Sequence, residues 1–341
     1  MAAGNVAAGV LAAALVAAFL TWAWIALARR WRVQDEPGAR RLHAQPTPRG
    51  GGIALALGWW LALAGTLAWS AGDSVSPLPW LLLVTGGFLA CGLLDDFFPL
   101  SAGVKLGLQL LVALFVFIPF LPADIRANLP LLGLICVALL YFVNAWNFMD
   151  GSNGMITLQA LVIAVAVGTW PGQEAGLRLA ALLLAGACAG FLPFNFPKAR
   201  VFLGDSGSYL LGSAVFVLLL ASCGAGVMTP VQALLLASVV LLDSALTLGR
   251  RMLRGRPFWR AHREHLYQYA VRKGHSHSRV ALAYAAATLI SWLLALCLWG
   301  QRSLIVTMTL LTLSWGCGAA AYWLLRRHWL SRRKHQMGGQ G

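Results

Sequence analysis

Three polar side chains at a fixed interval are the first with chemical promise. Asn144, Asn147 and Asp150 lie in Asn144-Ala-Trp-Asn147-Phe-Met-Asp150-Gly151-Ser-Asn153-Gly154. Residues three apart on a helix keep to one side, drifting by only about 60° in all. They follow an apolar run, Leu129 to Tyr141. Polar groups on one side of a membrane helix face a partner, an ion or a water-filled cavity, because lipid cannot solvate them. Gly151 and Gly154 then break the helix where it should reach water. A polar helix end bonded to its neighbours is an equally good account of this stretch alone.

Two more clusters carry hard oxygens. Asp95 and Asp96 close an apolar run, with Pro99 just beyond. Adjacent carboxylates diverge on a regular helix, but at a fraying end both can reach one pocket. Such a pair suits Mg²⁺ binding or proton transfer, since Mg²⁺ takes a few hard oxygens and shares substrate phosphates. The plain alternative is two solvated acids at a membrane boundary. Phe202-Leu-Gly204-Asp205-Ser206-Gly207-Ser208 precedes another run. Its glycines would let backbone amides approach an anion while Asp205 holds a cation; the same tetrapeptide suits an ordinary turn. Asn195, in Phe194-Asn195-Phe196-Pro197, ends the run before it on the same side.

Positive charge gathers nearby. The stretch from Gly249 to Gln268 holds Arg250, Arg251, Arg254, Arg256, Arg260 and Arg263 with His262 and His265. Arginine forks make paired bonds to phosphate, and attraction to anionic lipid explains Arg250 to Arg256 equally well. His262 and His265 could donate to phosphate, whereas zinc is disfavoured without nearby cysteines. His275 and His277 sit in a more ordinary loop. Asp243, near the inner end of the preceding run, is either a partner for an arginine or part of the site, and the first is expected. Arg49 before Gly50-Gly51-Gly52 allows either close backbone approach to a phosphate or a flexible start to a helix.

These groups need elements to hold them. The chain has 341 residues, 59% of them hydrophobic and 11% charged, with net charge +15. Long apolar blocks between short polar breaks indicate an all-α polytopic membrane protein; a β-barrel would alternate with period two. Eleven spans are expected, near 6–28, 51–70, 78–94, 103–121, 129–147, 154–170, 175–194, 207–222, 229–249, 279–299 and 303–325. The run at 207–222 is the shortest. The first span, with Arg29, Arg30 and Arg32 directly after it, reads as uncleaved.

Placed on this scheme, the 26 basic residues, including Arg40, Arg41, Lys105, Lys198 and Arg200, fall on one side except Arg126, Arg178 and Arg302. The positive-inside rule then puts the N-terminus outside and the C-terminus in the cytoplasm. Asp73, Asp124 and Glu174 belong to short outer loops. Six scattered cysteines read as packing residues, not as a disulfide frame. No internal repeat is evident, and no block is long enough for a soluble domain. The chain reads as one domain over 1–341, with motifs within about 37–280 and a basic cytoplasmic tail at 326–341. Apolar helices around Mg²⁺-suited oxygens and arginines imply phosphoryl transfer from a soluble diphosphate to a lipid carrying phosphate.

In the same order, Leu94-Asp95-Asp96, Asn144-x-x-Asn147-x-x-Asp150-Gly, Phe202-Leu-Gly-Asp205-x-Gly-Ser and His262-Arg263-x-His265 resemble the polyprenyl-phosphate N-acetylhexosamine-1-phosphate transferases. Thr47-Pro-Arg49-Gly-Gly-Gly also fits. Within that superfamily (glycosyltransferase family 4) the chain is most similar to the bacterial O-antigen and polysaccharide-initiating branch. It is less similar to the cell-wall phospho-muramoyl-pentapeptide transferases, whose loop carries consecutive histidines where this one reads His265-Leu-Tyr267-Gln268.

The resemblance implies transfer of an N-acetylated sugar 1-phosphate from a UDP-sugar to undecaprenyl phosphate, with release of UMP. The enzyme would act at the cytoplasmic face of a bacterial inner membrane, among membrane lipids, with no nucleic-acid partner and with a homodimer as the family's suggestion. It implies Mg²⁺, or Mn²⁺ in its place, on Asp205 and Asn147. Phe202 and Asn153 would contact uracil, Arg263 and His262 the diphosphate, and Asp95 and Asp96 would lie near the attacking lipid phosphate. Asn144, Asp150, Asn195, Arg49 and His265 complete the expected substrate-binding set. Direct attack by the lipid phosphate and a covalent aspartyl intermediate are both open, and the first needs less help because that phosphate is already ionised. An ion-coupled transporter is the rival from another class, and it should hold its acids near the bilayer midplane.

Overall fold

Pro, Ser, Thr and Asn at the starts of apolar runs fix where the helices of this chain begin. Thr229 caps one helix reciprocally with Gln232, with Pro230 behind it; Asn128 accepts from the Leu131 N–H before Pro130; Ser276 accepts from the Arg279 N–H. The computed structural model describes residues 3–35, 46–69, 78–257, 262–301 and 303–337. Arg40, Arg41, Asp73, Arg260, Arg302 and the last residues of the basic tail, all named above, lie outside the described residues.

The chain opens with α1 (Ala3–Arg30) and a short antiparallel pair, β1 (Gln34–Asp35) with β2 (Thr47–Pro48), in which Gln34 faces Pro48. There follow α2 (Gly52–Trp69), α3 (Leu78–Phe97), α4 (Ala102–Val112, continued by irregular turns to Phe120), the short α5 (Ala123–Ala127) and α6 (Leu129–Met149). Next come α7 (Met155–Gly168), α8 (Ala175–Asn195), α9 (Gly204–Gly224), α10 (Pro230–Leu253), the short α11 (Leu266–Arg272), α12 (His277–Cys297) and α13 (Leu304–Met337).

The protein is an all-α polytopic membrane protein. Each of the eleven expected apolar runs folds as a helix, and among the described residues nine are long and apolar enough to cross a membrane. The other two, α2 over Gly52–Thr66 and α7 over Met155–Gly168, are shorter. The run thought shortest in the sequence, at 207–222, is the full-length α9 and the most deeply buried of the spans.

α9 is the post around which the others pack. α3, α6, α2 and α7 lie against it, α1 and α8 pack on each other beyond α2, and α12 and α13 pack on α10. Small residues permit this, as they do where membrane helices must approach without a hydrophobic drive. A Cβ on Gly92 of α3 would collide with the Asp205 carbonyl, and one on Gly52 of α2 with the backbone of Gly207. Gly52 of the first glycine run thus serves close backbone packing. Gly51 and Gly52 donate to the carbonyls of Phe202 and Leu203 at 3.0 and 2.9 Å, so the start of α2 is tied to the turn that opens α9.

Candidate active site

α3 stays helical to Phe97, so the side chains of Asp95 and Asp96 take different partners, and both still converge on Asp205. Asp96 turns to α9. Its Oδ1 accepts from the Asp205 N–H and its Oδ2 from the Ser206 N–H, both at 3.0 Å. These amides open a helix, where unpaired N–H groups and the helix dipole favour an anion. The anion suited to the Gly204-Asp205-Ser206-Gly207 turn is thus supplied by the protein itself. Gly204 adopts φ +79° to make that turn. The Arg49 guanidinium donates to the Asp96 carbonyl.

Asp95 turns to α4. Its Oδ1 accepts from the Leu100 N–H at 3.1 Å and its Oδ2 pairs with Lys105. The same ammonium lies 3.4 Å from Oδ2 of Asp205. Lys105 therefore bridges two carboxylates that are 110 positions apart in sequence. On the other side of Asp205, the Asn147 amide donates to Oδ1 at 2.7 Å and to the Ser208 hydroxyl at 3.1 Å. One turn deeper, Asn144 donates to Gln109 at 2.6 Å. The spacing of the polar residues on α6 thus does put Asn144 and Asn147 on one face, against α4 and α9.

Asp150 caps the end of α6 and faces the same space. Burial, and then the negative charges of Asp205 and Asp96, push its carboxyl well above the usual carboxylate range. Asn195 is a brace. It accepts from the Gly154 N–H at 2.9 Å and donates to the Val201 carbonyl at 2.9 Å, joining the turn after α6 to the segment before α9. Asn153 donates to the Pro197 carbonyl at 3.2 Å.

The basic stretch at the end of α10 and beyond it is partly tied up by its own acid. Glu264 takes Arg250, Arg251 and Arg256 at once, the last at 3.2 Å. Burial raises the Glu264 carboxyl, but the Arg250 hydrogen bond and the arginine charges outweigh it and hold it down at about 2. Asp243 does not partner an arginine as expected. It accepts from the Leu266 N–H at 3.0 Å and the Tyr284 hydroxyl at 2.6 Å, with His265 Nδ1 at 3.5 Å. His265 is consequently buried, away from the cavity, and stacks on His262 with centroids 5.0 Å apart. Burial, then the charges of His265, Arg251 and Arg250, lower His262 to about 4, so it is neutral near pH 7.

These parts enclose a cavity of about 250 Å³ at one end of the helix bundle. Of the expected residues, Arg49, Asp96, Asp150, Asn153, Asn195, Phe202, Asp205 and Arg263 line it. Asn147 and Asp95 reach it through Asp205 and Lys105, and Asn144 lies deeper. His262 and His265 stand behind the loop and are not in its wall.

Asp35, Gln268 and His277 line the cavity without having been singled out as site residues, and His277 Nδ1 sits 3.0 Å from the Ser152 hydroxyl. Lys105 was also passed over, counted only as an inner-side charge. It had a signal: with Gln109 it makes two polar residues four apart on an apolar helix, hence one face. Among the described residues no three histidine, cysteine or acidic side chains converge to hold an ion unaided. The side-chain oxygens beside the cavity are carboxylates and amides, with the Ser152 hydroxyl, among the described residues. That donor set suits a hard divalent cation that completes its shell from substrate phosphates and water.

The comparisons with known proteins agree with this chemistry. The profile of glycosyl transferase family 4 matches residues 78–223, which run from α3 through α9. The decaprenyl-phosphate N-acetylglucosaminephosphotransferase of Mycolicibacterium smegmatis is 30% identical, over 76% of this chain and 74% of that protein. The probable undecaprenyl-phosphate N-acetylglucosaminyl 1-phosphate transferase of Bacillus subtilis is 27% identical over 71% of each. A phospho-N-acetylmuramoyl-pentapeptide-transferase of Pelotomaculum thermopropionicum is 28% identical over 76% of this chain and 86% of that protein. With acids on α3, α6 and α9 around one cavity and this similarity along most of its length, the chain belongs to glycosyl transferase family 4, the superfamily of polyprenyl-phosphate N-acetylhexosamine-1-phosphate transferases.

Proposed function

We propose that the chain transfers an N-acetylated sugar 1-phosphate from a UDP-sugar to undecaprenyl phosphate, releasing UMP. This would begin synthesis of a cell-envelope polysaccharide such as O-antigen. The observation that carries the reading is the cavity wall itself, where Asp96, Asp150 and Asp205 face Arg49 and Arg263 at one end of an apolar bundle. A transporter would hold its acids near mid-membrane; here they cluster at helix ends. The relatives named for N-acetylglucosamine make UDP-N-acetylglucosamine the first donor to try. The basic loops join the helices at the cavity end. By the positive-inside rule we place that end in the cytoplasm, with the shorter α2 and α7 crossing beside the nine long helices, in a bacterial inner membrane.

Each residue then has a physical task. Phe202 offers an aromatic face to uracil, with Asn153 at its edge, and Arg263 meets the diphosphate. A non-bridging oxygen of the lipid phosphate forms a bond to the phosphorus that carries the sugar. The bond from that phosphorus to the bridging oxygen breaks, and UMP leaves with the electron pair. Both oxygens of Asp96 hold amides and Asp95 is paired with Lys105, which favours direct attack over an aspartyl intermediate. Lys105 lies where it can orient the incoming phosphate beside Asp205. Mg²⁺, with Mn²⁺ as its substitute, would be held by Asp205 and Asn147 and would supply charge neutralisation of the diphosphate. A homodimer is part of the same proposal.

The deciding experiment incubates the purified protein with undecaprenyl phosphate, Mg²⁺ and a panel of UDP-sugars and measures UMP. Release dependent on lipid and metal, and lost in Asp205→Ala, supports the reading and names the sugar. Release only from the muramoyl-pentapeptide donor would move the chain to that branch. Folded protein that releases no UMP from any donor sinks it.

A further inference from the structure

The segment that brings Arg263 and Gln268 to the cavity has little helix of its own. α11 is seven residues long, and the chain before it is irregular. Such a stretch needs an external anchor if its side chains are to stay at a substrate. The anchor is Asp243, a carboxylate wholly inside the bundle on α10 and absent from the cavity wall.

Its contacts come from three elements. From the loop and α11 it accepts the Leu266 N–H at 3.0 Å and faces His265 Nδ1 at 3.5 Å. From α12 it accepts the Tyr284 hydroxyl at 2.6 Å, and from its own helix the Thr247 hydroxyl at 3.1 Å. A buried carboxylate is costly unless its lone pairs are taken. Here Oδ1 takes the Leu266 N–H and the Thr247 hydroxyl, and Oδ2 takes the Tyr284 hydroxyl with the Tyr267 N–H at 3.5 Å, so each oxygen has a loop or α11 amide among its partners and the set is complete only when the loop is seated. The three tethered pieces are also those that carry cavity residues on this side: Arg263 in the loop, Gln268 on α11, His277 at the start of α12. α13 reaches the same knot, since the Tyr322 and Thr247 hydroxyls lie 3.0 Å apart.

We infer that Asp243 is the positioning residue of the donor-binding wall, tethering the 262–268 segment and α12 so that Arg263, Gln268 and His277 meet the nucleotide sugar. The inference rests on the proposed transferase function. It makes Asp243 matter to the donor and not to the lipid, because no group it tethers belongs to the α3–α4 side where Lys105 and Asp95 lie.

The test uses the full chain in detergent and titrates UDP-N-acetylglucosamine at saturating undecaprenyl phosphate, then the reverse, with equilibrium binding of the UDP-sugar measured alongside. Asp243→Asn keeps the shape and removes the charge. It should weaken the donor, in KM and in binding, by about tenfold or more, with kcat within about threefold and the lipid KM unchanged. Tyr284→Phe, which removes one hydrogen bond, should give a smaller rise of the same kind. It carries the test if Asp243→Asn does not fold. Unchanged donor binding in the folded variants, equal rises in both KM values, or a fall in kcat alone would overturn the inference. Failure of the wild type to release UMP from any donor would instead remove the function on which it rests.

Discussion

The two walls of the cavity use the same device under opposite electrostatics. On the acidic wall, Asp96 accepts the first amides of α9; on the basic wall, Asp243 accepts the Leu266 amide that starts α11. Behind Asp96 the backbone is locked by glycine contacts at Gly52 and Gly92, and Asp95, Asp96, Asp150 and Asp205 gather there with Lys105 bridging two of them. Behind Asp243 the positive charge is partly offset, because the one carboxylate of Glu264 is shared by three arginines. The acidic wall, among the described residues, holds more carboxylates than cations. The basic wall keeps a net positive charge, but Glu264 engages three of its arginines before any of them can meet a ligand. Counting arginines overstates what that wall offers a phosphate; asking which ones Glu264 has already taken corrects the count.

The sharpest attack on this contrast is at its acidic centre. Asp205→Ala should lower kcat by about 10³-fold, the scale of losing a group that stabilises developing charge, while circular dichroism and gel filtration stay unchanged. A loss under tenfold would mean that the carboxylate crowd is structural.

Next is the bridge. Lys105→Met leaves Asp95 buried without its partner and should destabilise the protein by about 3 kcal/mol, read as a lower midpoint of thermal unfolding together with a large loss of UMP release. If stability holds and only activity falls, Lys105 serves the substrate alone.

Arg263 and Arg251 separate aimed from absorbed charge. Arg263→Ala should raise the donor KM by about tenfold, the worth of one charge-assisted bond. Arg251→Ala should change the donor KM by less than about threefold and show itself in faster proteolysis of the loop. Equal effects would erase the distinction between the walls.

The smallest effect is in pH. Glu264 is held at about 2, below its ordinary 4.5, so its tie to the arginines is complete above pH 4.5 and is lost as pH falls towards 2. Loop protection against an acid-active protease should fall across that window in the wild type. In Glu264→Gln it should already be low at pH 4.5 and flat below. His262, at about 4, should contribute no inflection to the activity profile between pH 5 and 8, and His262→Gln should keep the profile's shape.

Much of this was readable along the chain because the physics is local. Lipid demands long apolar runs, so the helices α1 to α13 with membrane-scale length announce themselves by composition. The three-residue beat of Asn144, Asn147 and Asp150, and the glycines around Asp205, are local patterns too, and these residues do stand at the site. What the sequence determined by itself was thus the class of molecule, the order of its helices and most of the acid and amide groups that gather at the cavity.

Assignment of partners was decided only in three dimensions. Nothing near Asp96 in sequence says that it will accept the amides of Asp205 and Ser206, or that Lys105 will stand between Asp95 and Asp205. Those unions need α3, α4 and α9 to meet at one end, which follows from glycine contacts distributed over the whole chain. Asp243 looked like a partner for an arginine, and it is Glu264 that takes three of them. Whether a charge faces the cavity or another side chain depends on where the loop folds back, because Coulomb attraction and desolvation act over ångströms in space and not over positions in sequence.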